Sequence, residues 1–304
     1  MINVPTVLIL GAGSSAHCGY PLGVTLISRL CSLDDHWIQH NAPNIWEIDD
    51  IKAFLKKLSY SGHYSIDTFL ESNPSMADMG KFLITQELKK QEHIDNLFPA
   101  TKSGWYQYLF NRLLPEKGNN NFADNKLSII TFNYDRSIEA YLHTALQARL
   151  NIDERDATEF LKQLNIIHVH GILGDYPTIP YTNMETNTEM LIAISQKIQI
   201  IYEIADQEDR FCNSMFEQAH EALLNAERIY FLGFGFHPDN IRRLRFFTPD
   251  NTANRMIRGT ITGLGVRERE ALYARLAPLG VASNCLPPNG THCHDFFSHE
   301  GSLD

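Results

Sequence analysis

The sequence predicts an α/β domain built on a doubly wound, mostly parallel sheet with helical insertions. Three observations carry that reading. Short, almost wholly apolar runs recur along the chain, as suits strands buried on both faces. Amphipathic helical patterns follow most of these runs. Glycine or polar chemistry stands immediately after each run, where such sheets bind ligands beyond the carboxyl ends of their strands. This is the Rossmann-like arrangement.

The first run is Thr6–Leu10 (TVLIL), followed by Gly11, Ala12 and Gly13. Pro21 stands where a helix would begin, since its missing N–H is not needed at the first helical position. Leu22, Leu26 and Leu30 repeat every four residues and would line that helix's buried face. From Ser32 to Asp124 the pattern is helical, around Ile51–Leu58, Met79–Lys90 and Trp105–Leu114, with a polar stretch at Gly118–Asn121 and no convincing strand. Strands return at Leu127–Phe132, with a helical pattern through Ile138, Leu142, Ala145 and Leu146 after it, and at Ile166–Val169. A loop and two helices fill residues 172–226. Arg228–Leu232 is a fourth strand, Ile257–Leu264 a fifth, and Arg267–Leu276 a further helix. A weak strand lies near Val281, and the tail after Pro287 is rich in turn residues, with no structure expected. The whole of residues 1–304 reads as one domain with helical insertions at about 33–124 and 172–226.

Composition excludes several classes. Of 304 residues, 43% are apolar and 20% charged, enough to build a full core. A formal charge of −10 gives no electrostatic reason to expect nucleic acid or anionic lipid as a partner. No stretch approaches the roughly 18 apolar residues of a membrane span. Five cysteines form neither a disulfide framework nor a Cys-x-x-Cys pair, which favours a reducing cytoplasm and no metal.

Four motifs carry the chemistry. Gly11-Ala12-Gly13-Ser14-Ser15-Ala16 matches G-x-G-x-x-A, whose glycines permit a tight turn and close approach to a diphosphate at a helix N-terminus. The bland alternative is a strand–helix turn with incidental glycines. A nicotinamide dehydrogenase would also want an acidic residue after a second strand; Asp34 and Asp35 have the spacing, but no strand precedes them. Asn133-Tyr134-Asp135 puts an amide and a carboxylate at the sheet's mouth, able to hold a ribose hydroxyl, a water or a carboxamide. Asn133 alone could equally cap a helix. His168-Val169-His170-Gly171 places two histidines on one face if the strand stays regular. His170 is positioned as a general base, with a structural histidine or a metal pair as the alternatives. Gly233-Phe234-Gly235-Phe236-His237-Pro238 is a second glycine turn, able to hold the adenosine side of a dinucleotide or to be a turn alone. Arg242, Arg243 and Arg245 follow it, either reaching phosphate or lying on a solvated face. His292-Cys293-His294 resembles a metal tract and is assigned to a surface loop.

Taken in order, G-A-G-S-S, T-F-N-Y-D, H-V-H-G and G-F-G-F resemble the Sir2 family, closest to its bacterial Sir2-like branch. The resemblance covers roughly residues 6–32, 127–171 and 228–265. It implies NAD binding at Gly11, Ala12, Gly13, Ser14 and Ser15, with Gly233 and Gly235 as the second phosphate and ribose turn. It implies that Asn133 sits near the nicotinamide ribose, that Asp135 contacts the carboxamide, and that His170 is the catalytic histidine. The two Cys-x-x-Cys pairs of the family's deacetylases are missing, as is their Asp-Phe-Arg segment. Zinc-free Sir2-like proteins act as NAD-consuming effectors of antiphage defence. The resemblance therefore implies an NAD+ hydrolase, with NAD as substrate rather than resident cofactor, the rivals being a zinc-free deacylase, an ADP-ribosyltransferase or a nucleotide sensor. Such an enzyme needs an off state, so self-association or a defence-system partner protein is expected, with the 33–124 insertion as the contact surface outside the nucleotide site.

Overall fold

The computed structural model describes residues 1–41, 45–63, 65–99, 104–114, 122–182, 187–200, 210–246, 255–277, 286, 292–299 and 302–303. Five strands form one all-parallel sheet: β1 (Thr6–Leu10), β2 (Leu127–Thr131), β3 (Asn165–His168), β4 (Arg228–Leu232) and β5 (Met256–Gly259), in the spatial order β3-β2-β1-β4-β5. β1 is central, and all five of its residues are buried. Its side chains divide by the period-2 rule. Leu8 and Leu10 enter one apolar core with Ile129, Tyr230 and Leu232. Val7 and Ile9 enter the other, with Ile130, Phe231 and Ile257. Two cores on opposite faces of a parallel sheet make the fold doubly wound, and the order reverses beside β1, where ligands bind in such sheets.

The first helices are α1 (Gly23–Cys31), α2 (Asp35–Asn41), α3 (Ile48–Tyr60), α4 (Ile66–Glu71), α5 (Ala77–Lys89), α6 (Ile94–Leu97) and α7 (Trp105–Leu113). All but α1 belong to the insertion, and no strand interrupts them among the described residues. They bury Phe54, Phe69, Phe82 and Trp105 against the first core. After β2 come α8 (Ser137–Leu150) and α9 (Glu154–Leu161), the latter opened by Asp153, whose carboxylate accepts from the Asp156 N–H. The second insertion holds α10 (Thr188–Ser195) and the helix Arg210–Leu224. Short helices Pro238–Arg243 and Val266–Leu276 flank β5.

Several expectations are corrected. Two tight 3-10 turns, Ala12–Ser14 and Ala16–Cys18, intervene before α1, so the helix starts at Gly23 rather than Pro21. Leu22 sits at its N-cap and is 49% exposed, leaving Leu26 and Leu30 as the buried stripe. β5 ends at Gly259 instead of reaching Leu264. A Cβ there would stand 2.4 Å from the Phe231 carbonyl oxygen; Thr260 beyond it still donates its N–H to that oxygen at 2.8 Å, and its hydroxyl accepts from the Gly233 N–H. The tail is not without structure: Cys293–His299 is a helix, and Cys293, Phe296 and Phe297, at i, i+3 and i+4, are buried. The assignment of His292-Cys293-His294 to a surface loop is therefore corrected, since Cys293 is buried at the start of this helix. The expected strand near Val281 and the stretch Gly118–Asn121 lie outside the described residues. No helix among those described is long and apolar enough to cross a membrane.

Candidate functional site

The loops after β1, β2 and β4 meet at the carboxyl edge of the sheet. The β1 and β4 turns lock together: the Gly13 N–H donates to the Gly233 oxygen at 3.0 Å, and the Gly11 N–H to the Leu232 oxygen at 3.0 Å. Gly233 has φ +58°, and a Cβ on it would lie 2.2 Å from the Ser14 nitrogen. Only glycine fits there. Asn133 ties in the β2 loop, its Nδ2 donating to the Gly11 oxygen at 3.0 Å, with Ser14 Oγ at 3.2 Å and Ser15 Oγ at 3.3 Å.

These contacts enclose a cleft of about 270 Å³. Gly11, Ala12, Ser15, Asn133, Asp135 and Gly235 line it. An adjoining chamber of about 130 Å³ is walled by His170, and Phe132 and Tyr134 border both spaces. Gly13, Ser14 and Gly233 lie beneath, packed turn against turn rather than facing the opening. A recess of about 600 Å³ opens at the opposite edge of the sheet, at the amino ends of the strands. Four carboxamides along it are turned on the protein itself: Asn125 onto the Leu113 and Phe122 carbonyls, Asn165 onto Ser128, Gln218 onto Ser214 and Asn225 onto the Glu221 carbonyl. We take the smaller cleft as the site because the polar groups of three separate loops converge there.

Asp135 is the buried acid of this cleft. It accepts from Ser15 Oγ at 2.7 Å, from the Ser137 N–H at 3.1 Å and from the Ser137 hydroxyl. Capping of α8 thus falls to Asp135 rather than to Asn133. Burial pushes its carboxyl above the usual carboxylate range, against the opposing hydrogen bonds from Ser137 and Ser15. Cys18, beneath the first turn, has its thiol pushed up by burial and is no nucleophile.

The two histidines part company. β3 ends at His168, so the alternation that would align them stops between them. His168 faces Glu139 at 2.5 Å and the Asn133 carbonyl at 3.1 Å. Burial works against its charge, but the Glu139 carboxylate prevails and holds its pKa above the ordinary value. His170 is buried against Phe132 and Phe216, with ring centroids 5.3 and 5.9 Å away. Burial holds its pKa below the ordinary value; the Asp67 charge opposes this and the Arg243 charge adds to it. A neutral imidazole able to take a proton is therefore the resting form. Gly171 makes the turn possible, since its φ is +80° and a Cβ would meet the Lys197 oxygen at 2.0 Å.

Residues that the motif reading missed complete the walls. Asp67 and Ser65 come from the start of α4, inside the insertion. Tyr134 donates to Asp67 Oδ1 at 2.5 Å, and Ser65 Oγ to Asp67 Oδ2 at 3.1 Å. The insertion is therefore part of the site, not a surface outside it. Asn240 adjoins His170, and its buried carboxamide oxygen has no hydrogen-bond partner of good geometry. Tyr134 stood in plain view between Asn133 and Asp135. Asp67 carried no signal, because no strand precedes it. Arg242 pairs with Asp239 at 2.8 Å and Arg245 with Glu217 at 2.5 Å, while Arg243 lies over the Phe216 ring at 5.9 Å. None of the three lines the cleft. No three His, Cys, Asp or Glu side chains among the described residues group as a metal site would require. No known protein-family model matches the chain, and no curated protein sequence matches it.

Proposed function

We propose that the chain is an NAD+ glycohydrolase, cleaving NAD+ to nicotinamide and ADP-ribose, and that it serves as a regulated effector of bacterial antiphage defence, as its resemblance to the Sir2 family implies. The observation that carries the enzymatic reading is the gathering of Asn133 and Asp135 with two glycine turns at one cleft, with His170 in the chamber that adjoins it. The cleft and its chamber together reach the lower part of the roughly 300–1,000 Å³ range of small-molecule sites. The diphosphate would lie by the exposed backbone of Ala12 and Gly235 and the N-terminus of α1. That helix opens on the cleft at Gly23, and its N-cap Leu22 offers no side-chain bond to the free N–H groups.

The bond from the ribose anomeric carbon to the pyridinium nitrogen breaks with its electron pair going to the ring, which leaves as neutral nicotinamide. Positive charge develops on the ribose, and water adds to the anomeric carbon. His170 takes the water's proton, which its neutral resting form permits. Asp135 accepts from the carboxamide N–H of the leaving group. Asn133 has committed its Nδ2 to the protein, so it acts through its carboxamide oxygen, accepting from a ribose hydroxyl or the water.

Incubating the purified full chain with NAD+ and resolving the products by chromatography and mass spectrometry tests this. Nicotinamide and ADP-ribose in equal amounts are expected, with H170A slower by about 10²-fold or more. Intact NAD+ would overturn the reading. Protein-bound or acylated ADP-ribose would replace it with transfer or deacylation. H170A working at the parent rate would make His170 structural.

A further inference from the structure

The cleft is acidic in a way that diphosphate binding does not explain. Asp67 and Asp135 line it, and among the described residues no lysine or arginine lines either space. The cation whose charge acts on His170 is Arg243, which lies over the Phe216 ring and lines neither space. The two acids are not equivalent. Asp135 is buried, with both oxygens engaged by Ser15 and Ser137. Asp67 is half-buried and borders both the cleft and the chamber that holds His170. Tyr134 and Ser65 hold one of its oxygens each, fixing the carboxylate without neutralising it. Aromatic and apolar surface from Phe132 and Phe234 closes the space around it. A fixed, partly dehydrated carboxylate beside aromatic surface suits a flat cation, because its field is stronger there than in open water.

We propose that Asp67, delivered by the helical insertion, recognises positive charge on the substrate's base, so that the cleft takes nucleotides whose N-ribosyl base is a cation in preference to uncharged ones. This rests on the NAD+ reading for the identity of the nucleotide, but the charge preference stands on the cleft's own chemistry. Asp67 and His170 both line the chamber, and the groups acting on that imidazole are Asp67 from α4, Arg243 and Asn240 from the helix Pro238–Arg243, and the Gln199 backbone. As charge leaves the pyridinium and appears on the ribose, the same carboxylate remains on the side where the cation forms.

The test measures binding without turnover, by calorimetry on the full chain carrying H170A. NAD+ and NADH have the same size and phosphates but differ in ring charge. NAD+ is expected to bind about tenfold more tightly, and D67N is expected to remove that difference by weakening NAD+ alone. Y134F, which frees the carboxylate but keeps its charge, is expected to lose only part of the preference. Melting temperatures of the variants check that they fold. A preference that survives D67N, or the lack of one in the parent, overturns the proposal. The smaller pair N-methylnicotinamide cation and neutral nicotinamide separates the two readings. If neither dinucleotide binds but the cation is preferred and D67N abolishes this, the NAD+ reading falls and the role of Asp67 stands. No preference in either pair refutes it.

Discussion

Two glycines in one turn, two residues apart, are predicted to respond to alanine in opposite ways. At Gly233 the backbone has φ +58°, and the added Cβ meets Ser14 N at 2.2 Å, Gly13 C at 2.3 Å and Gly13 Cα at 2.5 Å. All three are backbone atoms, which no rotamer change can move aside. The left-handed conformation costs an L-residue about 1–2 kcal/mol, and forcing a methyl into packed structure adds about 1–3 kcal/mol. G233A should therefore lose about 2–5 kcal/mol. An unfolding entropy of about 2.1 cal/mol/K per residue gives roughly 0.6 kcal/mol/K for a chain of this length. The expected fall in Tm is thus about 3–8 °C. At Gly235 the added Cβ meets nothing within 4 Å, and surface changes of that kind stay within about ±0.5 kcal/mol, or about 1 °C. Thermal unfolding followed by circular dichroism, with urea titration as a second measure, compares the three proteins. If G233A melts within 1 °C of the parent, the turn-on-turn packing is not what requires glycine there. The Gly-Phe-Gly motif would then have to be explained by ligand approach instead.

Two further predictions concern charge. His168 has its folded pKa raised by Glu139, so the pair contributes stability that is fully present below the unfolded value of about 6.5 and is lost as pH rises through the folded value. Urea unfolding should show the parent's advantage over E139Q shrinking from pH 5.5 to pH 8.5, and an advantage that grows would contradict the assignment. Asp135 has its folded pKa raised by burial, so its contribution is fully present below the unfolded value of about 3.9 and is lost as pH rises through the folded value. D135N should gain stability relative to the parent as pH rises from 4 to 8 while losing cleavage activity, and a loss of stability that deepens over that range would refute the sign.

Much of this frame was legible before the structure. β1 and β4 coincide residue for residue with their apolar runs, because each is buried on both faces and ends at a glycine. The edge strands were less legible for the same physical reason. Asn165 begins β3 while exposed, and Ile261 and Leu264 follow β5 as apolar residues outside its ladder. Burial, not pairing, is what an apolar run reports. The tail helix was readable from Cys293, Phe296 and Phe297, whose spacing is helical, but the turn residues around them masked it. The site was half legible. Positions after strands could be listed by rule; Asn133 and Asp135 line the cleft, and His170 walls the chamber beside it. The pairing of His168 with His170 failed because the strand stops at His168. Asp67 had no rule to reveal it, since it enters the cleft on a helix that packs there through Phe69 and Leu70.

The glycine motif is weaker evidence for a nucleotide than its sequence suggests, and the acids and histidine are stronger. Gly13 and Gly233 are each required by the other's backbone, so their presence follows from joining two turns whatever the cleft binds. Asp135 and His170 have local ties too, Asp135 to Ser15 and to Ser137 at the start of α8 and His170 to the Gln199 backbone and Asn240, but those ties come with a cost. Burial disfavours the charged form of both, raising one pKa and lowering the other, and an apolar residue at either position would avoid that cost. One of them lines the cleft and the other its side chamber. Perturbed titratable groups gathered at the carboxyl edge of a parallel sheet are what proton-transfer chemistry requires. Asp67 extends the same argument to the insertion. Its carboxylate is fixed by Tyr134 and Ser65 without a cationic partner among those bonds, so the helices that seemed an appendage to the sheet supply the cleft with a second carboxyl, less buried than Asp135.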